Sequence, residues 1–231
     1  MLKKWDDLPE SMRIPEVKPY YDILNKKRPS LLLKRAFDFC VALIMTIILA
    51  IPMAVIAVWV KIDSKGPVFY RQERVTAYGK RFRIHKFRTM VDKAEEMGSS
   101  VTVNNDSRVT GAGKHLRDLR LDELPQLFDV LSGNMSFVGT RPEVVKYVEQ
   151  YRPEYLATLL LPAGITSEAS IRYKNENELL SAADDIDRVY MEEVLPDKMK
   201  WNLKAIEDFS FMGEAATMVR TVLAVLGKEY E

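Results

Sequence analysis

The longest apolar stretch of the chain runs from Ala36 to Val60, and its only charge is Asp38. As a single helix these 25 residues would measure about 38 Å, against roughly 30 Å of bilayer hydrocarbon. Pro52 interrupts the run and leaves arms of 16 and 8 residues, neither long enough to cross alone. Lys34 and Arg35 precede the segment, and Lys61, Lys65, Arg71 and Arg74 follow it. Positive charge marks the cytoplasmic side of membrane segments. Cations at both ends therefore predict a Pro-broken helix that enters and leaves by one face. Asp38, beside Lys34 and Arg35, reads as an interfacial anchor.

A second pattern lies at Leu121, Leu124, Phe128 and Leu131, whose steps of three, four and three make one apolar helix face. Asp122 and Glu123 open that helix and fall off its buried stripe. Between the two patterns, Val68-Phe69-Tyr70 and Phe82-Arg83-Ile84 flank Ala77-Tyr78-Gly79-Lys80 and predict a short hairpin. Short helices are predicted over 92–97, 143–150 and 154–161, with a mobile polar loop over 98–106. Residues 182–195 and 197–226 are helix-rich and break at Pro196, and they are expected to pack on the preceding domain or the membrane surface and to carry no chemistry. Residues 1–30 hold Pro9, Pro15, Pro19 and Pro29 among many charges. That spacing forbids a long helix and predicts an extension along the surface or partly disordered. It is not a secretory signal, because no apolar core follows Lys3-Lys4.

Composition narrows the function classes. Lys plus Arg is 34 and Asp plus Glu is 33, a net charge of +1, so nothing global points to nucleic acid. The single cysteine, Cys40, excludes an intramolecular disulfide and a thiolate zinc cluster. His85 and His115 are too few for a histidine metal site and read as surface or packing residues. The 110–114 stretch only imitates a phosphate loop: a Walker sequence needs Gly at 108 and Ser or Thr at 115, where Arg108 and His115 stand.

Candidate chemistry gathers between Leu116 and Glu143. Two acids in a helix's first turn have a plain explanation, since the macrodipole favours negative charge there. Arg117, Arg120 and Arg141 lie close to them in sequence, however. Carboxylates interleaved with arginines suit a phosphate-bearing substrate, with Arg binding phosphate oxygens and a carboxylate holding a metal or attacking. Lys80, Arg81, Arg83, Lys86 and Arg88 form a basic ribbon after the membrane segment, suited to anionic headgroups or substrate phosphates. Arg172 and Lys174 are further candidate phosphate contacts.

Leu121-Asp122-Glu123-Leu124-Pro125-Gln126-Leu127 and Gly133-Asn134-Met135-Ser136-Phe137-Val138-Gly139-Thr140-Arg141-Pro142 resemble the bacterial sugar transferases, the monotopic polyprenyl-phosphate phosphoglycosyl transferases. Lys34-Arg35-Ala36-Phe37-Asp38, Gly66 to Arg74, Lys86-Phe87-Arg88-Thr89-Met90 and Gly164-Ile165-Thr166 extend the resemblance over most of residues 30–170. It implies an α+β, mostly helical fold: a small cytoplasmic catalytic domain with a β-hairpin, anchored by an N-terminal re-entrant membrane helix. The expected divisions are an extension over 1–30, the re-entrant helix over 31–62, a catalytic core over 63–180 and C-terminal helices over 181–231. The implied reaction moves a sugar-1-phosphate from a UDP-sugar to polyprenyl (undecaprenyl) phosphate at the cytoplasmic face of the bacterial inner membrane, releasing UMP, as a first membrane step of surface glycan assembly. Asp122 is then the nucleophile, Glu123 the ligand of a Mg²⁺ cofactor, Lys86, Arg117 and Arg141 the phosphate-binding set, and Pro52 the membrane break. Partners are the UDP-sugar, the lipid phosphate and the bilayer, with no nucleic acid; a homo-oligomer is compatible with all of this. Three rivals stay open: an inactive membrane-tethered scaffold of the same pathway, a nucleotidyltransferase, and a single-pass anchor with an external domain.

Overall fold

The computed structural model describes residues 2–97, 106–173, 176, 180 and 185–225. Residues 98–105 of the loop predicted over 98–106, and the candidate contact Lys174, lie outside them. The fold is mostly helical, with short β elements.

Helix α1 spans Lys18–Lys26, α2 spans Arg28–Ile48 and α3 spans Ala50–Asp63. The last two meet at a 63° bend, and no single described helix is long and apolar enough to cross a membrane. The bend falls at Leu49, ahead of Pro52. Proline clashes with the carbonyl four residues back and has no N–H to give it, so the break is displaced towards Ile48 while Pro52 sits comfortably in the first turn of α3. The arms are 21 and 14 residues, longer than the proline's position suggested.

The hairpin forms in a register set by its turn. Strand β2 (Glu73–Val75) pairs with β3 (Arg81–Arg83), and β1 (Phe69–Tyr70) with β4 (Lys86–Phe87). Tyr78 and Gly79, at φ 61° and 72°, make the reversal. Closing the turn with Thr76 N–H on the Lys80 carbonyl at 2.9 Å places Phe82 opposite Arg74 and Lys86 opposite Tyr70. The predicted pairing of 68–70 with 82–84 is therefore corrected.

Helix α4 (Gly111–Asp118) is capped by Thr110, whose hydroxyl accepts from Gly113 N–H. The expected single helix from Leu121 is instead a 3-10 turn at Leu121–Glu123 followed by α5, Gln126–Leu131, because Pro125 supplies no N–H and starts a new helix. The apolar steps survive the division. Leu121, Leu124 and Phe128 pack against Met53, Ile56 and Val60 of α3, while Leu127 and Val130 pack with Ala42 of α2. The acid-bearing segment thus sits in the crook of the bent pair.

Strand β5 (Met135–Val138) runs parallel to β6 (Ala163–Thr166). A short α6 (Val145–Val148) and a 3-10 stretch at Pro153–Leu160 lie between them, and α7 (Glu168–Arg172) follows. A Cβ on Gly164 would fall 2.2 Å from Gly139 N, so glycine at 164 lets the chain reach the loop that carries Arg141.

The C-terminal part comprises α8 (Ile186–Val189), a π turn at Tyr190–Val194, α9 (Leu195–Glu207) and α10 (Phe211–Val225). Pro196 does not break this run. The wide π turn upstream accommodates its ring and missing N–H, and the helix ends at Asp208 instead. The N-terminal stretch is also corrected. Leu2, Leu8, Met12, Val17, Tyr21 and Leu24 are buried against Ala157, Leu160, Ile206 and Phe209, because short turns between the prolines, followed by α1, still present an apolar side.

Candidate active site

Glu123 Oε1 receives two cations, Lys86 Nζ at 2.7 Å and Arg141 Nη2 at 2.6 Å. Three chain segments converge on that oxygen: the 3-10 turn, β4 and the loop after β5. The turn is opened by Arg120 at φ 55°, a left-handed conformation that costs a non-glycine residue energy and is concentrated at functional sites. Arg117 stands in the last turn of α4, its Nε donating to Thr89 Oγ1 at 2.8 Å. Gly113 permits that approach, since a Cβ there would lie 2.0 Å from the Thr89 carbonyl oxygen. Asp122, Glu123, Lys86, Arg117 and Arg141 are thus brought into one charged cluster.

Neither acid lies off the buried side, as periodicity suggested. Asp122 is 8% exposed, and the Glu123 side chain is 11% exposed. A 3-10 turn rotates side chains by a different angle from an α-helix, which swings both inward.

The cluster treats the two carboxyls unequally. Burial pushes Asp122 above the ordinary aspartate range, helped by the neighbouring Glu123 and opposed by Lys86, Arg117 and Arg141. Burial would also raise Glu123, but Arg141 and Lys86 outweigh it and hold that carboxyl well below its usual value. Burial lowers Lys86, against the attraction of Glu123. Burial also lowers Arg117, whereas Glu123 raises Arg141. Among the described residues no hydrogen bond reaches the Asp122 carboxyl. Two acids pushed apart by their surroundings are suited to different tasks: Asp122 is left unclamped, and Glu123 is a fixed anion.

Magnesium is commonly held by one or two carboxylates plus substrate phosphates and water. The donor set fits that habit. Both cations bind Oε1 of Glu123, Oε2 receives no hydrogen bond from a described residue, and Asp122 is adjacent. No cluster of three or more metal-ligating side chains occurs among the described residues.

Glu123 and Arg141 open onto a cavity of about 490 Å³. Its polar end includes Arg120, Tyr173, Glu176 and Lys198, and its apolar wall includes Met45, Leu127, Phe137, Met218 and Val222. Lys198 and Met218 belong to the C-terminal helices that were expected to carry no chemistry. Nothing local marked them, because the cavity forms only when α9 and α10 close over β6 and α7.

Several predicted cations have other occupations. Arg172 stacks on Trp201, 3.8 Å from the ring centre, and pairs with Glu168. Arg81 pairs with Glu73 and Glu149, and Lys80 with Asn134. Arg88 is buried and donates to the carbonyls of Val60, Ser64 and Lys65, fastening the end of α3. His85 is a packing residue, as expected, held by Asp129 at 2.8 Å. Asp38, expected as an interfacial anchor beside Lys34 and Arg35, keeps the pairing with Lys34 but is buried within the protein. It is 3% exposed, accepts from Ser136 Oγ at 2.7 Å and lies 3.6 Å from Lys34 Nζ. Arg35 instead caps α5 through the carbonyls of Val130 and Leu131.

An unclamped acid, a fixed acid and surrounding cations are gathered beside a bent apolar helix pair, a charge arrangement suited to phosphate. The family model described as bacterial sugar transferase matches residues 29–228, and the chain belongs to that family. It is 37% identical over 179 residues to the UDP-glucose:undecaprenyl-phosphate glucose-1-phosphate transferase of Escherichia coli (strain K12), covering 74% of this chain and 38% of that protein. Against a UDP-N-acetylgalactosamine-undecaprenyl-phosphate N-acetylgalactosaminephosphotransferase of Aeromonas hydrophila it is 39% identical over 142 residues, 60% of this chain and 34% of that protein. The chain therefore spans little more than a third of the length of these two relatives. A putative undecaprenyl-phosphate N-acetylgalactosaminyl 1-phosphate transferase of Bacillus subtilis (strain 168) is 40% identical over 160 residues, 68% of this chain and 87% of that protein.

Proposed function

We propose that this chain transfers a sugar-1-phosphate from a UDP-sugar to polyprenyl phosphate, through a phosphosugar carried on Asp122. The observation that carries the proposal is the unequal acid pair: a buried, unclamped Asp122 beside a Glu123 fixed by Lys86 and Arg141. Arg117, Arg141 and Lys86 draw in the donor diphosphate and offset the charge that would repel an anionic nucleophile. A carboxylate oxygen of Asp122 attacks the phosphorus bearing the sugar. The bond from that phosphorus to the bridging oxygen breaks, and UMP leaves with the electron pair. A lipid phosphate oxygen then attacks the same phosphorus, the acyl-phosphate bond breaks, and the Asp122 carboxylate is regenerated. A magnesium ion held by Glu123 and Asp122, when bound, supplies further charge neutralisation to the diphosphate. The cavity's mixed lining suits a reaction that joins a polar donor to a lipid.

The membrane part of the proposal rests on the outer side of α2 and α3. Leu43, Ile44, Ile47, Ile48, Ile51, Val55, Val58 and Ile62 are exposed there, and a gathering of exposed apolar side chains suits contact with a membrane. The bent pair enters and leaves the cytoplasmic face of the bacterial inner membrane, holding the acids at headgroup depth. There the acceptor's phosphate meets them while its tail stays in lipid. The product begins assembly of a surface glycan.

UMP release from a panel of UDP-sugars, with Mg²⁺ and undecaprenyl phosphate, tests the chemistry. Lipid-dependent release that disappears in Asp122→Asn is expected; a folded, membrane-bound protein that releases none would favour the scaffold, and pyrophosphate released in a parallel assay with UTP and sugar-1-phosphates would favour a nucleotidyltransferase. For topology, exposed Cys40 is first replaced by serine. Engineered cysteines near residues 20 and 80 should then be labelled from the same side, whereas a spanning anchor separates them.

A further inference from the structure

Beyond Arg141, the cavity has a wall that the transfer chemistry does not use. Glu176 and Tyr173 line it, with Lys198 of α9 behind them. Lys198 is 4% exposed and reaches Glu176 Oε2 at 2.9 Å and the Tyr190 hydroxyl at 3.3 Å. The Tyr190 hydroxyl in turn donates to buried Glu143 at 2.6 Å. Lys198 is therefore fixed from behind, and it fixes one oxygen of Glu176. The Glu176 side chain keeps 23% exposure, and no hydrogen bond from a described residue reaches its Oε1. The Tyr173 hydroxyl is engaged by Asp197 Oδ2 at 2.5 Å, which pins the ring beside the carboxylate.

We propose that Glu176, positioned by Lys198 and flanked by the Tyr173 ring, is the subsite that recognises the sugar of the donor. This rests on the function proposed above, which puts the sugar-bearing phosphorus at Asp122, next to Glu123 and Arg141, and hence the sugar in the cavity that those two residues line together with Glu176. A carboxylate repels phosphate, and it gains nothing from an isoprenoid chain. A group rich in hydroxyls suits it, because the oxygen that Lys198 does not hold accepts charge-assisted hydrogen bonds from neighbouring hydroxyls. The apolar face of a pyranose ring lies against an aromatic side chain, which offers an apolar body and a polar tip. A site built to hydrogen-bond hydroxyls rejects analogues that place them elsewhere, since its polar groups are then left unpaired.

The experiment uses the full chain in detergent and compares wild type, Glu176→Gln, Lys198→Arg and Lys198→Met, each checked for a native melt. Calorimetric titration with UDP and with each of four UDP-sugars (glucose, galactose and their N-acetyl forms) is read beside UMP-release kinetics. In Glu176→Gln the preferred UDP-sugar should bind about tenfold more weakly and the preference among donors should flatten. UDP affinity and the KM for polyprenyl phosphate should hold. Lys198→Met should reproduce that pattern, and Lys198→Arg should restore the preference. Parallel loss of UDP affinity would overturn the proposal in favour of a nucleotide contact, and a rise confined to the lipid KM in favour of an acceptor contact. An unchanged donor profile in a folded Glu176→Gln protein would reduce the cluster to a structural one. If wild type binds a UDP-sugar but releases no UMP, the transferase proposal fails while the binding comparison still decides the role of Glu176. Should wild type bind neither UDP nor any UDP-sugar, both fall together.

Discussion

Replacing Glu123 by glutamine keeps its volume and an acceptor oxygen but removes the charge that Lys86 and Arg141 share. The two bonds, at 2.7 and 2.6 Å, join groups that are 19%, 33% and 11% exposed on Lys86, Arg141 and Glu123, so water screens them little. Hydrogen bonds to charged groups contribute about 1.5–3 kcal/mol each, and neutral acceptors give about half as much. Two weakened bonds lose roughly 1.5–3 kcal/mol. The uncompensated cations add to this, short of the roughly 3–5 kcal/mol seen when a buried pair is fully broken, because Asp122 remains nearby. A net loss of about 3 kcal/mol lowers the melting temperature of a chain this size by roughly 6–12 °C. The pH dependence has a definite sign. Glu123 is depressed in the folded state, so its stabilisation is present above the unfolded value of 4.5 and is lost as pH falls through the folded value. Melts of wild type and Glu123→Gln in detergent should therefore differ most at neutral pH and converge in acid below about pH 4.5. A variant as stable as wild type at pH 7, or a gap that widens in acid, would refute the assignment of Glu123 as the ion-paired acid.

Asp122 carries the opposite prediction: its raised carboxyl makes ionisation costly at neutral pH, so Asp122→Asn should melt no lower than wild type while losing UMP release. For the same reason the acid limb of wild-type activity should lie above the ordinary aspartate value of 3.8, which a pH–rate profile reads directly. Arg88→Met removes the donor to three carbonyls at the end of α3; a loss of about 3 kcal/mol and faster amide exchange around 60–66 are expected. Gly113→Ala drives a Cβ against the Thr89 carbonyl and so disturbs the hydroxyl that holds Arg117. It should cost about 1–3 kcal/mol and raise the donor KM more than it lowers kcat.

Much of the site was legible in the chain because its parts are local. The Asp122-Glu123 pair, the arginines on either side and the proline-interrupted apolar run all fall within short windows, and side-chain type alone restricts what they can do. The hairpin was legible as well, though not its register, which the turn geometry at Tyr78 and Gly79 set. Periodicity misplaced the acids because Pro125 converts the expected helix start into a 3-10 turn and changes which way side chains point. Asp38 does pair with Lys34, as its position predicted, but its burial and the remaining contacts were not legible. Asp38 also accepts from Ser136, and Arg35 donates to the carbonyls of Val130 and Leu131, nearly a hundred residues away, and a buried polar group takes whichever partner the fold delivers.

By itself, then, the sequence determined the inventory: an apolar segment that must bend, two adjacent acids, and cations in sufficient number to hold phosphate. Tertiary structure decided which acid is clamped and which is unclamped, because that difference comes from Lys86 and Arg141 meeting on one oxygen of Glu123. It also decided that α9 and α10 close the cavity, placing Lys198 beside Glu176. Electrostatic interaction depends on distance and burial through space, and neither quantity exists for these pairs until the chain is folded.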